Sequence, residues 1–476
     1  MHMRMVLWVT VSLLLNVTLL AATASAKSVL DILREKGVLS EEEYQQAVEE
    51  EREQEKKAVQ KATEEAKKES KLPDWLNRIS LFGDLRFRYE GIWNSELTNV
   101  LENPDRNRFR IRARLGTGID VSEEAQGRLR LVSGDIGDPI STNQTLTDLF
   151  TRKPINLDWA YITLSPWKTL GLDKLTGSAK PRFSVLFGKQ PIPTFVPGRS
   201  ELVLDSDLSP EGITEIFTVW DQSDGLLRTV KVTAVQWNIK EFGSENATNL
   251  FNDTDAWMFG GQIQAEFAPT WNTKLTLAIA DYGFTQQDVI ARERNSNSAL
   301  SMTNNVTFFS GATRGGAPVS PSSCASPFTA PGCISGFVSG FNILNAGVQL
   351  DVLTPWKQWP LTFAVDYAHN LQAKTNDDDA VWFTASVGRT SNKGDFRFTY
   401  TFAYTETDAV LSVFSYSDFG RNGGTNLIGH FIAVDYVPFP RVTLRLMNHF
   451  VNFIDRPAGF HNPTQSRFQA DIALSF

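Results

Sequence analysis

The stretch RNRFRIRARLG, from Arg106 to Gly116, places arginine at every second position: Arg106, Arg108, Arg110, Arg112 and Arg114. Between them stand the largely apolar Phe109, Ile111, Ala113 and Leu115. A period of two is that of a β-strand, whose successive side chains point to opposite faces. In a soluble sandwich the apolar face would meet a second sheet and the arginines bulk water. In a membrane barrel the apolar face would meet lipid and the arginines an aqueous interior. An arginine held against lipid near the midplane costs roughly 2–4 kcal/mol, so five in register would cost on the order of 10 kcal/mol. If this sheet crosses a membrane, the arginines face the lumen.

The N-terminus favours the membrane reading. Arg4 precedes an apolar run from Met5 to Ala22, followed by Ala24-Ser25-Ala26, the small residues that a signal peptidase reads. Residues 1–26 therefore read as a cleaved signal peptide and Lys27 as the first mature residue. No later run is apolar over the roughly 20 residues that a membrane-spanning helix needs. With 32 phenylalanines and 12 tryptophans against 2 cysteines and 6 methionines, the composition suits a chain in which alternate strand residues face lipid.

Residues 27–77 differ in composition from the rest of the chain. They are rich in Glu, Lys, Gln and Ala, and Ser40 followed by Glu43 fits a capping box after the Gly37 turn. This segment reads as a periplasmic helical hairpin whose second arm could form a short coiled coil. From residue 78 onward the chain reads as strand after strand: 79–93, 106–121, 125–135, 157–166, 181–190, 212–222, 226–240, 254–268, 271–283, 340–353, 360–370, 379–390, 394–407, 425–437, 441–453 and 464–476. The expected fold is an all-β membrane protein, a closed antiparallel transmembrane β-barrel of about 16 strands, with short turns at the periplasmic end and long loops outside. Trp93, Trp159, Trp167, Trp237, Trp271, Trp356 and Trp359 fall near strand ends, where aromatic girdles form. The last strand alternates Phe468, Ala470, Ile472, Leu474 and Phe476 with Gln465, Arg467, Gln469 and Asp471 and ends the chain on phenylalanine. That resembles the terminal strand by which bacterial barrels are recognised for insertion.

The same alternation puts Arg86, Arg88, Arg128, Arg130, Arg441, Arg445 and Arg467 beside the ladder, because the first and last strands adjoin in a closed sheet. The expected counter-charge lies on the loop after the fifth strand, 191–211, which carries Glu201, Asp205, Asp207 and Glu211 together with apolar Phe195, Leu202, Val203 and Leu204. Apolar side chains on a loop favour its folding into the barrel, where the carboxylates would oppose the arginines and narrow the channel.

Six segments, GDLRFRYE from Gly83, RNRFRIRARLG from Arg106, GDPISTNQTL from Gly137, KPINLDWAYI from Lys153, FGKQPIPTF from Phe187 and LDSDLSPEGI from Leu204, resemble the "Putative porin" family of bacterial outer-membrane barrels. The resemblance is dense over about 80–215 and thins to barrel periodicity afterwards. It implies a diffusion channel in the bacterial outer membrane.

No catalytic constellation, cofactor motif or metal-ligand spacing emerges. His369, His430, His449 and His461 stand apart, and no phosphate-binding glycine loop is present. The formal net charge of −8 argues against nucleic-acid binding. Cys324 and Cys333, close together in the longest loop of an exported chain, favour a disulfide. The leading expectation is a porin, a homotrimer in outer-membrane lipid, that passes small hydrophilic solutes and ions with some preference for anions. A phosphate-like anion channel is the alternative within that class. A barrel that anchors the outer membrane to peptidoglycan through the helical leader is the alternative outside it.

Overall fold

The computed structural model describes residues 74–93, 105–176, 178, 180–222, 224–242, 254–294, 300–308, 313–314, 317–318, 334–420, 424–456 and 464–476. The chain divides into two compact units, Met1–Asn77 and Arg78–Phe476. The expected signal peptide, residues 27–73 of the expected helical hairpin and both cysteines lie outside the described residues.

The second unit is a closed antiparallel barrel of sixteen strands. In chain order these are β1 (Ile79–Trp93), β2 (Arg106–Asp120), β3 (Ala125–Ser133), β4 (Ile155–Leu164), β5 (Phe183–Lys189), β6 (Glu211–Asp221), β7 (Leu227–Lys240) and β8 (Ala256–Thr270). They continue as β9 (Thr273–Phe284), β10 (Asn342–Val352), β11 (Leu361–Asn370), β12 (Asp379–Gly388), β13 (Phe396–Thr405), β14 (Leu427–Phe439), β15 (Val442–Phe453) and β16 (Gln465–Ser475). Each strand pairs with the next, and a two-residue strand, Gln144–Thr145, adds to β2 beyond the end of β3. The sheet closes where β1 pairs with β16 from Asp84↔Ser475 to Trp93↔Ser466. Phe476 extends that seam, since its N–H and C=O exchange hydrogen bonds of 3.1 Å with Gly83. A Cβ on Gly83 would stand 2.7 Å from the Phe476 ring and 2.2 Å from the Arg114 carbonyl, so only glycine fits there.

Alternation decides which face meets which solvent. Leu81 and Leu85 on β1 are 70% and 52% exposed, and Phe109 and Leu115 on β2 are 50% and 52% exposed, while Glu90, on the other face of β1, is fully buried. The outer surface is thus an apolar band of the kind that contacts acyl chains, and the arginines of β2 turn inward.

The connections differ between the two ends. At one end they include the short links 121–124, 222–226, 271–272 and 440–441; at the other lie long loops, among them 134–154, 190–210, 285–341 and 406–426. By the rule for bacterial barrels the short links are periplasmic. The link 165–182 is an exception. It holds a short helix, α1 (Leu172–Thr176), and is pinned by the Trp167 indole donating to the Ser178 carbonyl at 2.7 Å and by Thr169 donating to Glu124.

Two long loops fold inward. Loop 190–210, here L3, crosses the barrel: the Phe195 N–H donates to Gln262 on β8 at 2.7 Å, and the Gly198 N–H donates to Gln349 on β10 at 2.9 Å. Its tip, Pro197–Arg199, packs on β10, β11 and β12. Loop 406–426, here L7, brings Ala409, Val410, Leu411, Val413 and Phe419 into one buried cluster with Leu202, Val203 and Leu204 of L3 and with Trp382 and Phe431 on the wall. Of the apolar residues of L3 expected to be buried, Leu202, Val203 and Leu204 are, while Phe195 is only half-buried. The inward course of L7 is not foreshadowed by the strand periodicity.

Candidate functional site

The inward arginines meet carboxylates mostly on their own wall. Strand register sets this up: Arg397 on β13 lies opposite Asp435 on β14, which lies opposite Arg445 on β15, which lies opposite Asp471 on β16, which lies opposite Arg88 on β1, which lies opposite Arg110 on β2. One rung of alternating charge thus runs across five strands and ends on a sixth. Arg88 grips Asp471 through two bonds of 2.7 and 2.9 Å. Arg397 and Arg445 both bind Asp435.

The rest of the ladder is paired in the same manner. Arg108 donates to Glu90 at 2.6 Å, and Arg110 lies 3.7 Å from Glu90 and donates to Ser141. Arg112 donates to Asp84 at 2.8 Å. Arg114 pairs with Asp207 and donates to Thr142, and Arg86 donates to Asn143. Arg467, buried, pairs with Asp418 at 2.8 Å. Arg106 is exposed at the outer end of β2, and Arg128 pairs with Asp120 near the periplasmic rim.

Several expected positions are corrected. Arg441 does not line the interior: it sits exposed in the two-residue turn before β15, with φ of 63°. Glu211 is not on the loop; it opens β6 and pairs with Lys189. Asp205 faces no arginine, because its carboxylate accepts the Ser417 and Asp207 backbone N–H groups at 2.8 Å each. Glu201 accepts the Ser206 N–H at 3.0 Å. Of the four loop acids only Asp207 pairs with an arginine of the ladder. Trp159, Trp167 and Trp237 do not belong to a girdle. Trp167 and Trp237 are buried, and a bulge opposite Arg130 turns Trp159 so that the Arg130 guanidinium lies 3.3 Å from its ring centre. Trp271 and Trp356 remain exposed at the turn end.

The principal counter-charge that the alternation does not reveal is Asp418 on L7, which accepts from Arg88 at 3.0 Å, Arg467 at 2.8 Å and Gln469 at 2.9 Å. Burial would raise this carboxyl, but Arg467 and Arg88 outweigh it and hold it well below the usual carboxylate range. L7 and L3 are stitched together by Asp205 N–H to Phe414 C=O at 2.7 Å and Tyr416 N–H to Glu201 C=O at 3.0 Å. The apolar run Ala409-Val410-Leu411 was the available signal for L7, since a solvated loop has no use for it.

Two chambers flank L3. One, of about 570 Å³, lies toward the long loops and is lined by Asp135, Asp138, Asp158, Asp207 and Glu211 with Lys189, against an apolar side that includes Trp237. The other, of about 740 Å³, is lined by Arg86, Arg88, Arg112, Arg199, Arg397 and Arg445 and by the acids Glu201, Asp205, Asp207 and Asp418 of L3 and L7, together with threonine and serine hydroxyls of β12 and β13. Apart from Arg199, these arginines are on the barrel wall. Arg199 comes from the tip of L3, beyond the reach of an alternation argument that covers only strands.

A closed sheet with an apolar exterior, a charged interior and an inward-folded loop defines a channel protein of the outer membrane. The sequence matches the family described as "Putative porin" over residues 41–100 and 94–458, and the chain belongs to that family. No curated protein matches it significantly. Among solved structures it is similar to OprB of Pseudomonas putida, with 12% identity, a TM-score of 0.49, and coverage of 85% of this chain and 96% of that one. It is similar also to OmpF of Salmonella typhi, solved with daunomycin, at 9% identity, TM-score 0.43 and coverage of 84% and 97%. OmpT of Vibrio cholerae, in a trimer form, gives 9% identity, TM-score 0.43 and coverage of 84% and 99%. The family and the fold point to a channel rather than an enzyme.

Proposed function

We propose that this protein is a passive diffusion porin, working as a homotrimer, that passes small hydrophilic solutes around L3 with a preference for anions. The observation that carries the preference is the chamber lined by six arginines against the four acids Glu201, Asp205, Asp207 and Asp418. Most of the ladder is neutralised by Glu90, Asp84, Asp207, Asp418 and Asp471, so it contributes fixed dipoles more than net charge. The surplus lies where Arg397 and Arg445 share Asp435 and Arg199 lines the same chamber. A positive field in a confined aqueous space raises the local anion concentration and is screened by salt.

The test is conductance in planar bilayers under a KCl gradient. Ohmic steps are expected, with a reversal potential of the sign for chloride preference that shrinks as total salt rises. Failure of the folded protein to give steps overturns the channel, and a reversal potential of the opposite sign overturns the preference. Closure of each conducting unit in three equal steps is the outcome expected of a trimer.

A further inference from the structure

We propose that Arg199, Arg397 and Arg445 form a seat for a hydroxylated organic anion, the charged head held between the three guanidiniums and the hydroxyl-bearing body lying along the hydroxyl wall of β12 and β13. The proposal rests on the reading of the interior as a solute path and adds a binding site and a ligand class to it.

The charge count comes first. Asp435 spends both oxygens on two guanidiniums: Arg397 donates to it at 3.1 and 2.9 Å, and Arg445 at 2.7 and 3.2 Å. Arg199 then enters from L3 into the same chamber. Among the described residues its guanidinium has no hydrogen bond or ion pair. Burial pulls Arg199 below its ordinary value, and Arg397 and Arg445 pull it further, outweighing Asp435. The other carboxylate beside Arg445, Asp471, is held through both oxygens by Arg88, so the three guanidiniums share the hydrogen bonds of one carboxylate and are incomplete without an anion.

The backbone supplies a second observation. Gly198 and Arg199 are consecutive residues with φ of 60° and 57°. The left-handed region suits the glycine, whose added Cβ would stand 2.8 Å from the Ala364 Cβ, but it is unfavourable for arginine. A strained residue held by its surroundings and aimed into a cavity is the kind of outlier from which a binding role is inferred.

The third observation fixes the ligand class. On β13, Arg397, Thr399 and Thr401 follow one another at every second position and share a face, with Ser386 opposite Thr399 and Thr384 opposite Thr401 on β12. All five line the chamber. The arginines therefore stand at one end of a strip of hydroxyls that can both donate and accept. A sugar phosphate or sugar acid matches this order, whereas a bare anion uses only the head of the site and a neutral sugar only its body.

Two readouts test the proposal with glucose 6-phosphate, gluconate, glucose and inorganic phosphate as probes. In single-channel recordings glucose 6-phosphate and gluconate are expected to block current saturably, at concentrations at least about tenfold below those needed with glucose or phosphate. Arg199→Gln is expected to raise the half-blocking concentration about tenfold, while Lys357→Gln, in an exposed turn, leaves it unchanged. The detergent-folded protein should show the same ranking of probes in thermal stabilisation, a measurement that does not depend on conduction. Equal effects of glucose 6-phosphate and inorganic phosphate, or an unchanged response in Arg199→Gln, overturn the seat. Wild-type protein that is stabilised by the sugar anions but gives no conductance steps would keep the seat and refute the channel.

Discussion

Glu201 shows how a single side chain on L3 can tune the interior. Burial pushes its carboxyl up to about 7, with Asp207 adding to the rise and the hydrogen bond from Ser206 opposing it. Below that value Glu201 is neutral and the arginines around the larger chamber dominate; above it, the site carries one more negative charge near Asp205, Asp207 and Asp418. Anion preference should therefore fall by about twofold between about pH 6 and about pH 8. The reversal potential under a KCl gradient reads this directly. In Glu201→Gln the change across this range should shrink to the part left by Asp205 and Asp138, whose carboxyls burial also pushes up, and a variant whose profile equals that of the wild type would remove Glu201 from the titration. Residue-scale features of this kind were only half legible in the sequence. The alternation assigns Arg86, Arg88 and Arg110 to the lumen because each lies within a strand. It misassigns Arg441 because parity says nothing about where a strand stops, and it misassigns Trp159 because one extra residue in β4 reverses the phase.

At the scale of elements, the strands were readable because lipid on one side and water on the other leave a period of two as the affordable pattern. Loops obey no such period, so L3 was legible only through its apolar residues and acids, and L7 carries the same kind of signal in Ala409 to Val413 with Glu406, Asp408 and Asp418. The stitching of L3 to L7 explains why both are needed: Asp205 and Glu201 offer acceptors that the L7 backbone fills. The tip of L3 should be the sensitive point. In Gly198→Val the new Cβ must occupy the left-handed region, at about 1–2 kcal/mol, and must also push against Ala364 and Thr384. The expected result is a lowered melting temperature together with added open-channel current noise as the tip leaves its wall. Quiet channels of wild-type conductance would mean that the contacts of the tip do not hold L3 in place.

For the whole molecule the decisive contact is the one that makes an open sheet into a barrel, and it joins residues 383 apart in the chain, Arg88 on β1 and Asp471 on β16. No local pattern reveals such a pair; it follows from closure, once sixteen strands bring the first and last together. The pair is buried, and Arg88 is shared with Asp418 of L7, so the seam, the charge rung and the inward loop are joined at one guanidinium. Removing one partner leaves an uncompensated buried charge, at about 3–5 kcal/mol, whereas removing both relieves part of that cost. Asp471→Asn should therefore lower the urea midpoint of the folded barrel strongly, and Arg88→Gln likewise. The double variant should be less destabilised than the sum of the two, by an interaction energy of about 1–3 kcal/mol. Unfolding followed by the gel-mobility shift of the barrel gives all four corners of the cycle. Additive effects would show that the seam is held by its backbone ladder, including the Gly83–Phe476 exchange, and that the arginine there serves the lumen alone.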